Sequence, residues 1–263
     1  MKKYLVIGNP IQHSLSPLIH SYWIKKNNIN ATYNKEKLEK KDLEDLVLKI
    51  KEGKIHGANV TVPFKKDIIP HLEDLTPEAK YTQSVNTIFS NNNKVTGHNT
   101  DIEGFSLAIQ DINFDVSKKH IMIVGAGGVV PSIIYSLIKM KANKISLINR
   151  TRENAENLKK LFKDLNLINW NEIQNFDMII NATSVGLNVN DELDLNLPKI
   201  ENNKLFYDVI YNPKETNFLK KAKNLGNKTE NGKKMFIHQA ALAFKIWHGV
   251  QPEINEEVEK LLD

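Results

Sequence analysis

Cysteine is absent from this 263-residue chain, and arginine is nearly so. Without cysteine there are no disulfides, no thiolate metal ligands and no cysteine nucleophile, and the chain suits a reducing compartment. Of 36 lysines and arginines only Arg150 and Arg152 are arginine, so the planar guanidinium fork that matches phosphate occurs in one place. Long hydrophobic runs are scarce too. The apolar residues 4–7 behind Met1-Lys2-Lys3 are too few for a secretory core and stop at Gly8-Asn9-Pro10, which predicts a buried strand. Residues 121–138 carry no charge and are long enough to span a bilayer, but Gly125, Gly127, Gly128 and Pro131 divide them into strand, turn and helix. No membrane span is expected. Net charge is a mild +5, and the only aromatic-flanked basic stretch is Phe64-Lys65-Lys66, so no nucleic-acid surface is expected either. The eight histidines show no metal-ligand spacing, and Ser14 beside His13 lacks a nucleophile-elbow setting. Metal chemistry and serine hydrolysis are therefore not expected.

What is present is ordinary globular material, 41% hydrophobic and 25% charged, long enough for one large domain or two medium ones. Strand patterns fall at 4–7, 31–34, 57–62 and 85–89, with helical patterns at 17–26 and 41–51 between the first three. The Asn91-Asn92-Asn93 turn leads back into a short strand at 94–97, a hairpin. A second alternation begins near 102: helix 102–112, strand 121–124, helix 129–140, strand 144–149 and helix 152–162. Strands at 178–181, 205–210 and 227–230 follow, with a helix at 216–224, and helices at 235–248 and 253–262 close the chain. Strands alternating with helices predict α/β architecture and parallel sheets. No linker composition separates the halves, so the boundary near Asp101 falls at a continuous element or hinge.

The turn Gly125-Ala126-Gly127-Gly128 follows the uncharged strand Ile121-Met122-Ile123-Val124 and precedes a helix. In that setting glycines let backbone approach a pyrophosphate lying on a helix N-terminus. One strand–helix–strand step later stands Asn149-Arg150-Thr151-Arg152, with no acid before Glu153. An acid there would grip the ribose hydroxyl of NAD, whereas arginine accommodates the 2′-phosphate of NADP. The pair predicts a dinucleotide domain that takes NADP. The third fingerprint position is Val130 rather than Gly or Ala, which implies looser helix–strand packing.

Three polar clusters in the first half each have a structural and a ligand reading. In His13-Ser14-Leu15-Ser16-Pro17, Ser16 is placed as a helix N-cap with Pro17 behind it, but capping leaves Ser14 unexplained. Two hydroxyls beside a helix start also suit a carboxylate. In Asn59-Val60-Thr61-Val62-Pro63-Phe64-Lys65, Lys65 projects from a strand's carboxyl end, the ligand-binding edge of open α/β sheets, or else is one more solvated lysine. In Gly97-His98-Asn99-Thr100-Asp101, Asp101 is a cap or a site acid.

In order along residues 4 to about 250 stand Ser-Leu-Ser-Pro, Asn-Val-Thr-Val-Pro-Phe-Lys, Val85-Asn86-Thr87, Gly-His-Asn-Thr-Asp, Gly-Ala-Gly-Gly and Asn-Arg-Thr. Asn181-Ala182-Thr183-Ser184-Val185-Gly186 and Gln239-Ala240-Ala241 complete the series. This set closely resembles the shikimate dehydrogenase family. The resemblance implies two α/β domains with a cleft between them: a discontinuous substrate domain with a mainly parallel sheet (1–101 and 234–263) and a Rossmann-type NADP-binding domain (102–233). It implies reduction of 3-dehydroshikimate to shikimate with NADPH, in aromatic amino acid biosynthesis. Ser14 and Ser16 would hold the substrate carboxylate; Thr61, Asn86, Tyr211 and Gln239 would bind ring hydroxyls; Lys65 and Asp101 would be the catalytic pair. Gly125, Ala126, Gly127, Gly128, Val129, Asn149, Arg150, Thr151 and Arg152 would hold NADP, with Val209 and Gly232 near the nicotinamide. The partners would be these small molecules, with a cytoplasmic location and a homodimer allowed.

The chain departs from the family pattern at Gln12, at Gln83-Ser84 before Val85, at Ile102 after Asp101, at Val129-Val130-Pro131-Ser132, and at Lys233-Lys234. None is a catalytic position. The competing readings are a quinate/shikimate dehydrogenase that uses NAD, against which the two arginines weigh, and a non-catalytic NADP-binding relative, against which Lys65 and Asp101 together weigh.

Overall fold

The computed structural model describes residues 1–170, 172–188, 190–195 and 202–263. Its packing divides the chain into two units, Met1–Gly104 with Ile237–Asp263, and Phe105–Phe236.

The first unit begins with β1 (Lys2–Gly8), α1 (Ser16–Lys26), β2 (Ala31–Lys37), α2 (Leu43–Lys51), β3 (Gly57–Val60) and β4 (Asp74–Leu75). It continues through α3 (Pro77–Thr82), β5 (Thr87–Asn91), β6 (Lys94–His98) and the first turn of α4 (Asp101–Asp111). Its sheet runs β2-β1-β3-β5-β6-β4. β1 lies parallel to β2 and β3, with Leu5 opposite Ala58 and Ile7 opposite Val60. β5 reverses direction against both β3 and β6. The reversal is the hairpin legible in the sequence: Asn92 and Asn93 sit at φ 48° and 61°, a left-handed conformation asparagine tolerates well. β1 is apolar without alternation because both faces are covered. On one face α2 sets Leu43, Leu46, Val47 and Ile50 at helical spacing into a core with Ile7, Ala58, Val60 and Ile88. Each such side chain stabilises the fold by about 1.5–3 kcal/mol when fully buried.

The second unit contains β7 (His120–Val124), α5 (Val130–Lys139), β8 (Lys144–Ile148), α6 (Arg152–Leu161), β9 (Asn166–Ile168) and β10 (Met178–Asn181). β11 (Leu205–Asp208), α7 (Asn217–Asn224) and β12 (Lys228–Glu230) complete it. Its sheet, β12-β11-β10-β7-β8-β9, is parallel throughout. The strands run outward from β7 to β9, then restart beside β7 with β10. That reversal between β7 and β10 is a doubly wound sheet's switch point, where ligands bind beyond the carboxyl ends. Val130 is fully buried in the core that α5 shares with the sheet, so the missing fingerprint glycine is replaced by an apolar contact.

Helix α8 (Lys233–His248) carries the chain out of the second unit at Ile237, and α9 (Glu256–Leu261) follows. In the first unit α8 covers the face of the sheet opposite α2. There Tyr4, His20, Trp23, Tyr33, Phe244 and Trp247 form an aromatic nest in which the His20 ring lies parallel to Tyr33 at 4.2 Å. His20 is 0% exposed, and among the described residues neither ring nitrogen has a hydrogen-bond partner. Burial pushes its pKa down to about 3, and that of neighbouring His248 to about 4. The unfolded chain holds these protons from about pH 6.5 downward and the folded chain refuses them. Stability is therefore intact above pH 6.5 and falls as the pH drops, with His20 alone contributing up to about 1.4 kcal/mol per pH unit. Thermal melts between pH 7 and 4 should show this loss, and His20→Phe should flatten the slope. An acid limb of the same steepness in that variant would contradict the assignment.

Candidate active site

The first unit gathers its polar side chains where strands end. Gly8 closes β1, and a Cβ there would lie 2.6 Å from Thr61 Cγ2 and 3.0 Å from the Val62 carbonyl. Glycine thus lets the segment after β3 fold over β1, with the Thr61 amide donating to Ile7 O at 2.9 Å. The next turn is anchored by Phe64, buried in the core below the sheet. Lys65 is held by its own carbonyl, which accepts from the Val85 amide at 2.9 Å.

Lys65 is not a solvated lysine. Its side chain is 11% exposed and its Nζ lies 2.5 Å from Asp101 Oδ2, itself 7% exposed. Asp101 is the first residue of α4, and its carboxylate faces Lys65 and Asn86. The Asn86 amide donates to Asp101 Oδ1 at 2.9 Å and to Thr100 Oγ1 at 2.9 Å, and lies 3.4 Å from Gln239 Oε1. Asn86 Oδ1 in turn accepts from the Thr100 amide at 2.8 Å. Asn99 accepts from the Asp101 amide and donates to Ser84 O. An ammonium and a carboxylate sheltered from water, with the carboxylate also held by Asn86, are fixed in one orientation rather than free to wander. Before this loop Gln83 adopts φ 49° as it terminates α3, a left-handed conformation that glycine takes most readily.

Ser14 and Ser16 lie at the start of α1, and one expectation about them is corrected. The helix begins at Ser16, so the capping position is Leu15, without a side-chain cap. Ser14 Oγ accepts from the Ser16 amide at 3.4 Å. Ser16 itself is buried. Tyr33 donates to Asn59 Oδ1 at 2.6 Å, and Asn59 donates to Asn86 O at 3.0 Å. A buried chain of hydrogen bonds thus joins Tyr33, through Asn59 and Asn86, to Asp101. Tyr33 and Asn59 were not among the expected site residues. The signal for Tyr33 was a lone aromatic in the polar stretch Asn34-Lys35-Glu36-Lys37, a weak one.

In the second unit Gly125 sits at φ 107°, and a Cβ there would meet Ala182 O at 2.8 Å. Its amide donates to Ile148 O at 2.8 Å, tying the glycine turn to the end of β8. Gly127 and Gly128 are exposed, with Ala126 and Val129 half-buried, ahead of α5. Beyond β8 the Asn149 amide donates to Thr151 O at 2.7 Å. Arg150 is exposed, and among the described residues its side chain has no partner; Arg152 pairs with Glu156 at 2.8 Å on the same helix. An open glycine turn at the switch point, beside free guanidinium and without an acid on β8's end, fits a phosphorylated dinucleotide. Farther along, Gly232 packs on the Val209 carbonyl so closely that a Cβ would collide with it, and Tyr211 stacks on Phe236 at 4.6 Å. Buried Asp208 shapes this segment by accepting from the Ile210 amide, Asn181 and Thr216; burial raises its pKa. Of the expected site residues, Ser14, Ser16, Thr61, Lys65, Asn86, Asp101 and Gln239 thus fall in the first unit, and Tyr211 with the nucleotide set falls in the second.

Residues 6–88 match the shikimate dehydrogenase substrate binding domain, 106–223 the shikimate / quinate 5-dehydrogenase domain, and 234–256 the shikimate 5'-dehydrogenase C-terminal domain. A shikimate dehydrogenase (NADP(+)) of Pelagibacter ubique is 56% identical over 262 residues, covering 100% of this chain and 99% of that protein. The chain belongs to the shikimate dehydrogenase family. The Bacillus subtilis shikimate dehydrogenase (NADP(+)) is 36% identical over 97% of this chain and 95% of its own length. Among solved structures, a shikimate dehydrogenase in complex with NADP+ superposes with a TM-score of 0.91 at 34% identity, covering 100% of this chain and 94% of the other. The Thermus thermophilus enzyme in complex with NADP(H) and shikimate gives 0.89 at 28%, over 100% and 98%.

For a shikimate dehydrogenase family member with this geometry, Lys65→Ala should lower kcat by about 10²–10⁴. NADP binding by the second unit, followed by fluorescence titration, should survive. Loss of both together would mean that Lys65 is structural.

Proposed function

We propose that this chain catalyses the reversible, NADP-dependent interconversion of 3-dehydroshikimate and shikimate. The observation that carries the reading is the sheltered Lys65–Asp101 pair, oriented by Asn86, in a family member whose similar curated relatives are NADP(+) enzymes.

Each residue's part follows from its chemistry. Ser14 and Ser16, beside the start of α1, donate hydroxyl hydrogen bonds to the substrate carboxylate, which the helix terminus also favours. Thr61, Asn86 and Gln239 bind ring hydroxyls. Gly125, Ala126, Gly127, Gly128, Val129, Asn149, Arg150, Thr151 and Arg152 would hold NADPH, with Val209 and Gly232 flanking it, and the bound cofactor would supply the hydride. As the ketone oxygen becomes an alcohol oxygen it takes a proton, and Lys65 Nζ is the group placed to give it. Asp101 fixes the direction of Nζ and balances the ammonium charge. In the oxidative direction Lys65 takes the proton back from the hydroxyl. Aromatic amino acid biosynthesis, a cytoplasmic location (which a cysteine-free chain suits) and assembly as a homodimer belong to the same proposal; the mass in solution tests the last.

Initial rates of dinucleotide reduction, read by absorbance for shikimate or quinate with NADP or NAD, test the reading. Shikimate with NADP should exceed every other pairing by at least about tenfold in kcat/KM. A preference for NAD would defeat the Arg150 and Arg152 assignment, a preference for quinate would defeat the pocket assignment, and no turnover in any pairing would make the chain a non-catalytic relative.

A further inference from the structure

We infer that Gly104 is a positioning residue for substrate binding, because the absence of a side chain there lets α8 come close enough to α4 for Gln239 to join the Asn86 cluster. The inference rests on the proposed shikimate dehydrogenase activity and extends it to a residue with no polar group of its own.

Gly104 and Asp101 share one face of α4, three residues apart, the spacing that stacks side chains on successive turns. Against that face lies Gln239 of α8. A Cβ added at Gly104 would stand 2.9 Å from Gln239 Cβ, 2.9 Å from its backbone nitrogen and 3.1 Å from its Cα. Two of those three atoms are helix backbone, so a rotamer change cannot relieve the contact. One helix has to move, and the two are not equally free. α4 is tied at its first turn by Lys65 and Asn86 on the Asp101 carboxylate and by Asn99 on the Asp101 amide. The Asn86–Gln239 contact, at 3.4 Å, is already long. A displacement of α8 by a few tenths of an ångström therefore breaks the reach of Gln239 first and leaves the Lys65–Asp101 pair in place.

A glycine inside a helix is less stable than alanine when nothing else is at stake. Gly104 is buried within α4 without a positive φ, so backbone conformation does not call for it. The approach of Gln239 does.

The test is a double-mutant cycle on steady-state kinetics with the full chain, using Gly104→Ala, Gln239→Ala and the double variant. Gly104→Ala should raise the shikimate KM about tenfold, the worth of one hydrogen bond, while the NADP KM stays within about twofold. In the Gln239→Ala background the added methyl should change the shikimate KM no further. Additive losses, an equal rise in both KM values, or an unchanged shikimate KM in Gly104→Ala would each overturn the inference. If Gly104→Ala yields no folded protein, Gln239→Ala alone decides: a shikimate KM raised about tenfold with the NADP KM unchanged supports the inference, and an unchanged shikimate KM overturns it. A wild-type chain without shikimate turnover would instead defeat the functional reading, and this inference with it.

Discussion

An ammonium and a carboxylate 2.5 Å apart and nearly shut off from water are expensive to bring together, and the first unit is organised around that pair. Desolvation of two charges outweighs their attraction unless the remaining lone pairs and protons find partners. Asn86 supplies one partner to Asp101, Asn99 fixes the turn from which Asp101 springs, and the Lys65 carbonyl takes the Val85 amide. These contacts come from three separate chain segments, after β3, before β5 and after β6, brought side by side because β5 reverses between β3 and β6. The mixed sheet is thus the device that turns three sequence-distant loops into one polar site. Its polar content is a poor way to stabilise a fold and a good way to hold a proton donor in one orientation.

In the second unit the governing constraint is steric. The parallel sheet restarts between β7 and β10, and there Gly125 passes the Ala182 carbonyl at a distance no side chain permits. Gly232 does the same beside the Val209 carbonyl. Close backbone passages of this kind leave amides and open surface at the strand ends, which is what a pyrophosphate and a planar ring need. Asp208, buried and satisfied by three separate elements, holds the intervening segment in shape.

The long, strongly patterned elements were legible. The expected strand at 178–181 coincides with β10, and the helices at 129–140 and 152–162 lie within a residue or two of α5 and α6. Two of the short elements were not: α3 has six residues and is held by its Thr76 cap, β9 has three, and neither is long enough to display a period. Lys65 and Asp101 looked ambiguous singly, since a lysine on a surface and an aspartate at a helix start are commonplace; only the fold shows that each is the other's reason. The capping role expected of Ser16 failed because helix boundaries shift by a residue, which puts Leu15 at the cap. Tyr33 and Gly104 were invisible for a common cause. Their importance lies in what they touch across the unit, and no local pattern encodes a neighbour from a distant part of the chain, as Ile88 is for Trp247 or Gln239 for Gly104.

In the proposed function Asp101 holds Lys65 for proton transfer. The direct measurement is the single-turnover rate of hydride transfer in Asp101→Asn, with shikimate and NADP both saturating. The account predicts a fall of about 10²-fold or more in that rate, with both ligands still bound. A rate near that of the unmodified chain would contradict it.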